Sequence, residues 1–251
     1  MLELDCPSAL TRETQQQVSF TTTLGGRRVA HVRKGGRRAW TVDASVARTG
    51  EVSTLEAVAR GLGPYGWYPP EAVVGNLLSP QASSFEVTPD SATGAGLVQL
   101  PDGSVAATVL HSGSSQVYPG TAHGSHERVP VRPGGDVSVG VWALGGAGMS
   151  MGWRDAQGTL QSTTTIPTQS GAGWQWFTAT ETAPASAAFM SLGLTGGTQY
   201  ARPSVSWGPT VRDELGTGCP LAVIHSPTHS PVALWEGANY TASAYQVTEV
   251  G

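Results

Sequence analysis

Apolar and polar residues alternate with a period of two along most of this chain, and glycine and proline cut the alternation into short runs. A period of two puts successive side chains on opposite faces of a strand. Runs 17–24, 27–34 and 37–46 read as strands separated by Gly25-Gly26 and Gly35-Gly36. Such pairs suit hairpin turns that need positive φ, so the pattern predicts a three-stranded meander over 16–46. In its middle strand Val29 and His31 face one way, and Arg28, Ala30 and Val32 the other. A short helix is predicted next. Ser53-Thr54-Leu55-Glu56 fits a capping box, Leu55, Val58 and Ala59 share a face, and Gly61 is the stop. The glycine- and proline-rich run 61–70 excludes continuation of the helix.

From Asn76 onward charges thin out and short alternating runs recur: 85–87, 96–100, 104–110, 127–131, 136–142, 148–153, 174–179, 187–194 and 204–207. Many short strands between turn residues indicate a sandwich or jelly roll. The last 44 residues hold further runs at 220–225, 232–235 and 240–247, too few to bury a core alone, and the N-terminal strands are their natural partners. The expected fold is therefore all-β with one short helix. Residues 1–76 and 208–251 are expected to form one discontinuous β-rich domain, with 77–207 inserted as a jelly roll. Inserted modules sit where chain ends meet on a scaffold's periphery. That layout suggests a scaffold that assembles with copies of itself and displays the guest outward.

Composition sharpens this picture. At 251 residues, 13% charged, with 33 Gly and 17 Pro, the chain favours short strands and tight turns over long solvated helices. The net charge of −4 hides an asymmetry: residues 1–76 carry nine basic and seven acidic side chains, the remainder five and eleven. Arg27, Arg28, Arg33, Lys34, Arg37 and Arg38 fall within twelve residues that contain no acid. Six such charges could contact phosphates. The chain is acidic overall and offers no aromatic platform there, so a subunit interface of paired ions is preferred to nucleic acid. The start lacks the basic segment and apolar run of a signal peptide, and no stretch approaches the ~20 apolar residues of a membrane span, which leads to an expectation of synthesis in the cytoplasm. Cys6 and Cys219 lie in the two separated pieces of the scaffold. They are read as reduced buried thiols, with a pairing between them left open.

Several catalytic patterns fail on context. Gly61-x-Gly63-x-x-Gly66 has dinucleotide-binding spacing, but a helix precedes it and Pro69-Pro70 follows, so the phosphate-cradling helix start is missing. Gly148-Met149-Ser150-Met151-Gly152 matches a nucleophile elbow yet lies on an alternating strand run, where no strand-to-helix turn is expected. His123-x-x-His126 lacks a third ligand at metal-site spacing. Carboxylates are scattered, and no catalytic residue, cofactor or enzymatic activity is expected. Glu86 or Asp90 offers the hard oxygen a structural Ca²⁺ would take. Trp142, Trp153, Trp174 and Trp176 all fall in the inserted segment. Indole faces stack on sugar rings, so Trp153, Trp174 and Trp176 are the candidate carbohydrate contacts. Trp174 and Trp176 share one sheet face, which can equally be core.

The inserted segment, through 76–80, 84–86, Val129-Pro130-Val131-Arg132-Pro133-Gly134, Trp153-Arg154-Asp155-Ala156-Gln157-Gly158, Gly173-Trp174 and Ala183-Pro184-Ala185, resembles a carbohydrate-binding module of the galactose-binding-like type. The flanks resemble distal and minor tail proteins of long-tailed phages of actinobacteria, through Phe20…Leu24-Gly25-Gly26-Arg27, Arg38-Ala39-Trp40, Gly63-Pro64-Tyr65-Gly66-Trp67-Tyr68 and the closing Tyr240…Gly251. The resemblance implies a virion structural protein that forms a ring, often a hexamer, joining tail tube to tip. Its implied partners are the tail tube, tape-measure and tail hub proteins, with host wall glycan a candidate ligand of the guest domain.

Overall fold

The computed structural model describes residues 8–15, 18–22, 28–32, 37–61, 65–89, 91–112, 115–120, 126–235 and 238–250. The first strands are β1 (Ala9–Gln15), β2 (Val18–Thr22), β3 (Arg28–Val32) and β4 (Arg37–Arg48). Helix α1 (Thr49–Arg60) and the short β5 (Tyr65–Trp67) follow, then helices α2 (Pro70–Val74) and α3 (Pro80–Ser83). Next come β6 (Gly94–Gln99), β7 (Val105–Leu110), β8 (Val129–Pro130), β9 (Asp136–Leu144) and β10 (Ala147–Arg154). The series continues with β11 (Leu160–Gln169), β12 (Trp174–Thr182), β13 (Phe189–Thr195) and β14 (Gln199–Trp207), and closes with β15 (Cys219–Trp235) and β16 (Ala238–Glu249). The protein is predominantly β, in sandwich-forming sheets. No helix among the described residues is long and apolar enough to cross a membrane.

The chain forms two compact units, 2–67 with 221–251, and Tyr68–Pro220. The first is built on a five-stranded sheet in the order β1-β4-β16-β15-β5. Its core face carries Trp40, Val42, Ala222, Tyr245 and Val247, all buried, with Val52 and Leu55 buried on α1. Trp67 meets Trp40 and Tyr245 edge-on, each with ring centroids 6.4 Å apart. The expected meander is corrected here. β2 and β3 pair with each other, from Val18↔Val32 to Thr22↔Arg28, whereas β4 pairs with β1 and β16 and not with β3. The reason is β4's own alternation: Trp40 lies opposite Val247 and Val42 opposite Tyr245, so burying these pairs requires β16 as neighbour. α1 also starts earlier than its capping box suggested. Val52, three residues before Leu55, is buried as well, so the apolar stripe extends one turn further back and Ser53 lies inside the helix. The stop is at Gly61, whose N–H bonds the Val58 carbonyl at 3.1 Å.

The Tyr68–Pro220 unit is a β-sandwich. One sheet has the order β12-β9-β14-β7-β6 and the other β11-β10-β13-β8. Their facing side chains make one core, with Val137, Val139 and Val141 on β9, Met149, Met151 and Trp153 on β10, and Met190, Leu192 and Leu194 on β13. Segment 85–87, read as a strand from its alternation, is instead the turn after α3. Phe85 there takes φ 49 while staying 4% exposed; its ring fills the core at the cost of a left-handed backbone. Asn76 ties this region together. Its Nδ2 donates to the carbonyls of Pro203 and Glu214, and its Oδ1 accepts from the N–H groups of Leu78 and Val205. Ser79 caps α3 and also donates its N–H and hydroxyl to the buried Glu127 carboxylate, both at 2.5 Å. Burial, then the nearby Glu127 and Cys219, hold the Tyr68 phenol well above its ordinary range.

Candidate functional site

The feature of the sandwich that core packing does not explain lies on the outward face of its five-stranded sheet. On β9 the odd-numbered residues Val137 to Ala143 enter the core, so Trp142 points the other way. Trp176 on β12 lies opposite Trp142 in register; the two rings are tilted at 53° with centroids 5.9 Å apart. A side chain at Gly140 would displace the Trp176 ring, because a Cβ there would sit 2.3 Å from its Cζ2. The missing side chain is what lets the Trp176 ring lie over β9. Trp174 shares the face and, with Trp142 and Val98, covers a small apolar patch of Leu100, Ala106 and Ala201. All three indoles are half-buried.

Residues 208–213 cross the same face. Ser138 Oγ donates to the Gly208 carbonyl, Ser206 Oγ to that of Thr210, and Trp142 Nε1 to Asp213 Oδ2 at 2.7 Å. The β9–β14 register shifts between Ala201 and Ser204. Arg202, at φ 47, stands on that bulge and reaches Asp213 Oδ2 at 3.2 Å and Asp102 Oδ2 at 3.6 Å. Hydrogen bonds from the Ser104 hydroxyl and backbone N–H, with the Arg202 charge beyond them, hold the Asp102 carboxyl below its usual range. The arrangement can stack an apolar ring face and orient it with fixed polar groups. It brings no nucleophile and base together.

The structure separates the candidate contacts. Trp174 and Trp176 stand on the outward face. Trp153 does not: it is 1% exposed, in the core, with Nε1 donating to Thr164 Oγ1 at 2.8 Å. A ring packed on both faces has none left for a sugar. Trp142, Arg202 and Asp213 were not among the candidates. Trp142 was accessible from its parity against Val139 and Val141, whereas Arg202 and Asp213 are joined only by the β14 bulge and the crossing segment.

Of the basic cluster, Arg27, Arg33 and Lys34 lie outside the described residues, and Arg28 lies on β3 with its side chain outside them. Arg37 is exposed. Arg38 departs from the interface reading: it is 7% exposed, bonds Glu249 of the same chain through Nε at 3.0 Å and Nη2 at 2.8 Å, and lies over the Trp40 ring. Its charge is matched within the chain. Glu86 is exposed and Asp90 lies outside the described residues. Among the described residues no three His, Cys, Asp or Glu side chains gather as a metal would need. His126 stacks on Tyr118 with centroids 3.8 Å apart, and His123 lies outside. Residues 148–152 fall in the middle of β10, without the turn an elbow needs. Cys219 is buried; its pairing with Cys6 falls outside the described residues.

No protein-family model and no curated protein matches the chain. Among solved structures, the enzymatically active domain of bacteriophage CBA120 tailspike protein 4 is similar at 14% identity over 53% of this chain and 21% of that one, TM-score 0.37. The carbohydrate-binding module CBM6cm-2 of Cellvibrio mixtus lichenase 5A, in complex with cellotriose, is similar at 15% identity over 54% of this chain and 98% of that one, TM-score 0.32. The CBM22-1–GH10 modules of Clostridium thermocellum xylanase 10B, complexed with xylohexaose, give 14% identity over 47% and 25%, TM-score 0.32. The matched part thus spans about a fifth of the tailspike chain and a quarter of the xylanase chain. Likenesses this distant carry no role across.

Proposed function

We propose that this chain is a non-enzymatic glycan-binding adhesion protein whose sandwich unit contacts surface polysaccharide through Trp174, Trp176 and Trp142. The observation that carries this is the placement of three indoles on the outward face of one sheet, two of them a tilted pair with Trp176 seated on Gly140. Such rings offer flat apolar area to the C–H face of a pyranose, and fixed polar groups beside them set orientation. Pull-down of the full chain on purified wall polysaccharides tests it: capture by at least one polymer, weakened at least ~10-fold in Trp176→Ala, is expected. Equal capture of both proteins would remove the aromatic face from the reading.

The discontinuous unit supplies the assembling part in this proposal, as a virion tail-tip ring that joins tube to tip. Two features support it: strands from both ends of the chain share one sheet, and β2 with β3 forms a separate two-stranded ribbon that carries Arg28, with Arg27, Arg33 and Lys34 flanking β3 in the sequence. A β-ribbon can add strands or charges to a neighbouring copy. Ring size, and the tube, tape-measure and hub partners, belong to the same proposal. Virions that keep normal tails without this protein would contradict it.

A further inference from the structure

The charges around the aromatic face bear on which glycan it takes, an argument that rests on the glycan-binding proposal above. Apart from Arg202 on the β14 bulge, the outward positions of β12, β9, β14, β7 and β6 carry aromatic, aliphatic, hydroxyl, amide and glycine residues, and no cation. Their single charge is Asp136, at the end of β9, held by the Thr182 hydroxyl at 2.9 Å. Two cations stand by this face, and each is already engaged: Arg212 in the crossing segment lies 3.7 Å from the Glu214 carboxylate, and Arg202 is shared between two carboxylates. One guanidinium nitrogen serves both Asp213 and Asp102, so two carboxylates face one positive charge. Asp213 Oδ1 is buried with no hydrogen-bond partner, and its negative charge is not fully offset.

Binding an acidic sugar depends on an unengaged guanidinium or ammonium that can pair with carboxylate, sulfate or phosphate. Here the Arg202 charge is shared between two carboxylates and the residual charge of that cluster is negative, so an anion meets repulsion. A neutral pyranose needs only the indole faces and hydroxyl partners. We infer that the face binds uncharged glycans and that the Asp102–Arg202–Asp213 cluster rejects acidic ones.

Surface plasmon resonance of the full chain on immobilised polysaccharides at low salt tests this. The probes are neutral β-glucan, xylan, mannan and galactan, with carboxymethylcellulose and polygalacturonate as the acidic set. Binding to at least one neutral polymer, at least ~10-fold tighter than to either acidic one, is expected. In Asp102→Asn with Asp213→Asn the freed Arg202 narrows that gap to about threefold or less. Asp102→Asn alone, on an exposed turn, narrows it partly and guards against misfolding of the double variant. Acidic polymers bound as tightly as neutral ones by the unmodified chain would overturn the inference while leaving glycan binding intact, as would a gap unchanged in both variants. Binding to no polymer would remove the glycan reading, and the inference with it.

Discussion

Asn76 makes four hydrogen bonds from a position 1% exposed. Asn76→Asp keeps the shape but turns a carboxylate oxygen toward two carbonyls. The sandwich unit is expected to lose about 3 kcal/mol, read from the urea midpoint by tryptophan fluorescence. Tyrosines 200 and 245 give a pH-dependent counterpart. Burial raises each phenol to about 12, partly opposed for Tyr200 by the Gly197 N–H. An unfolded phenol loses its proton near 10, so between about 10 and about 12 the folded chain holds more protons. The stabilising contribution is complete below pH 10 and lost as pH rises through this window. Thermal melts should fall steeply there, and Tyr245→Phe should flatten the fall; an unchanged slope would show that this phenol is not involved. At this scale alternation told part of the story. Trp153 shares the parity of Met149 and Met151 and joins them in the core, while Trp142 breaks parity with Val141 and faces out. Three of the four partners of Asn76 were beyond the sequence, since Pro203, Val205 and Glu214 lie more than a hundred residues away.

Strand texture was legible from residue 94 onward because alternation with β-branched and aromatic residues is a strong strand signal. It misread 85–87, where Phe85 is buried by a turn and not by a pleat. It also misassigned the neighbours of β4: local glycine pairs argued for β3, whereas the long-range match of Trp40 and Val42 to Val247 and Tyr245 decided for β16. Hairpin chemistry is local, but the choice of sheet neighbour is made by burial. The β9–β12 pair carries a prediction at this scale. Gly140→Val places a side chain where the Trp176 ring lies, so the ring must leave. Loss of the coupled-indole signal in near-ultraviolet circular dichroism is expected, with a cost of about 1–3 kcal/mol. A spectrum identical to that of the unmodified chain would mean that Trp176 does not rest on β9.

Each of the two units has its own core, and the discontinuous one is built on a five-stranded sheet with α1, together with the two-stranded β2–β3 ribbon. The proposed function divides the labour between them: a discontinuous scaffold that assembles, and a sandwich that binds. The aromatic face is the part on which the proposed function depends. It was half visible in advance, since the tryptophans at 174 and 176 stood out while Arg202 and Asp213 become neighbours only through the bulge and the crossing segment. The most direct test is capture of the full chain by host cell-wall preparations, beside Trp174→Ala with Trp176→Ala, whose folding is verified by thermal melt. The account predicts retention of the unmodified chain and loss of most binding in the double variant. Undiminished capture of a folded double variant, or no capture of either protein, would contradict it.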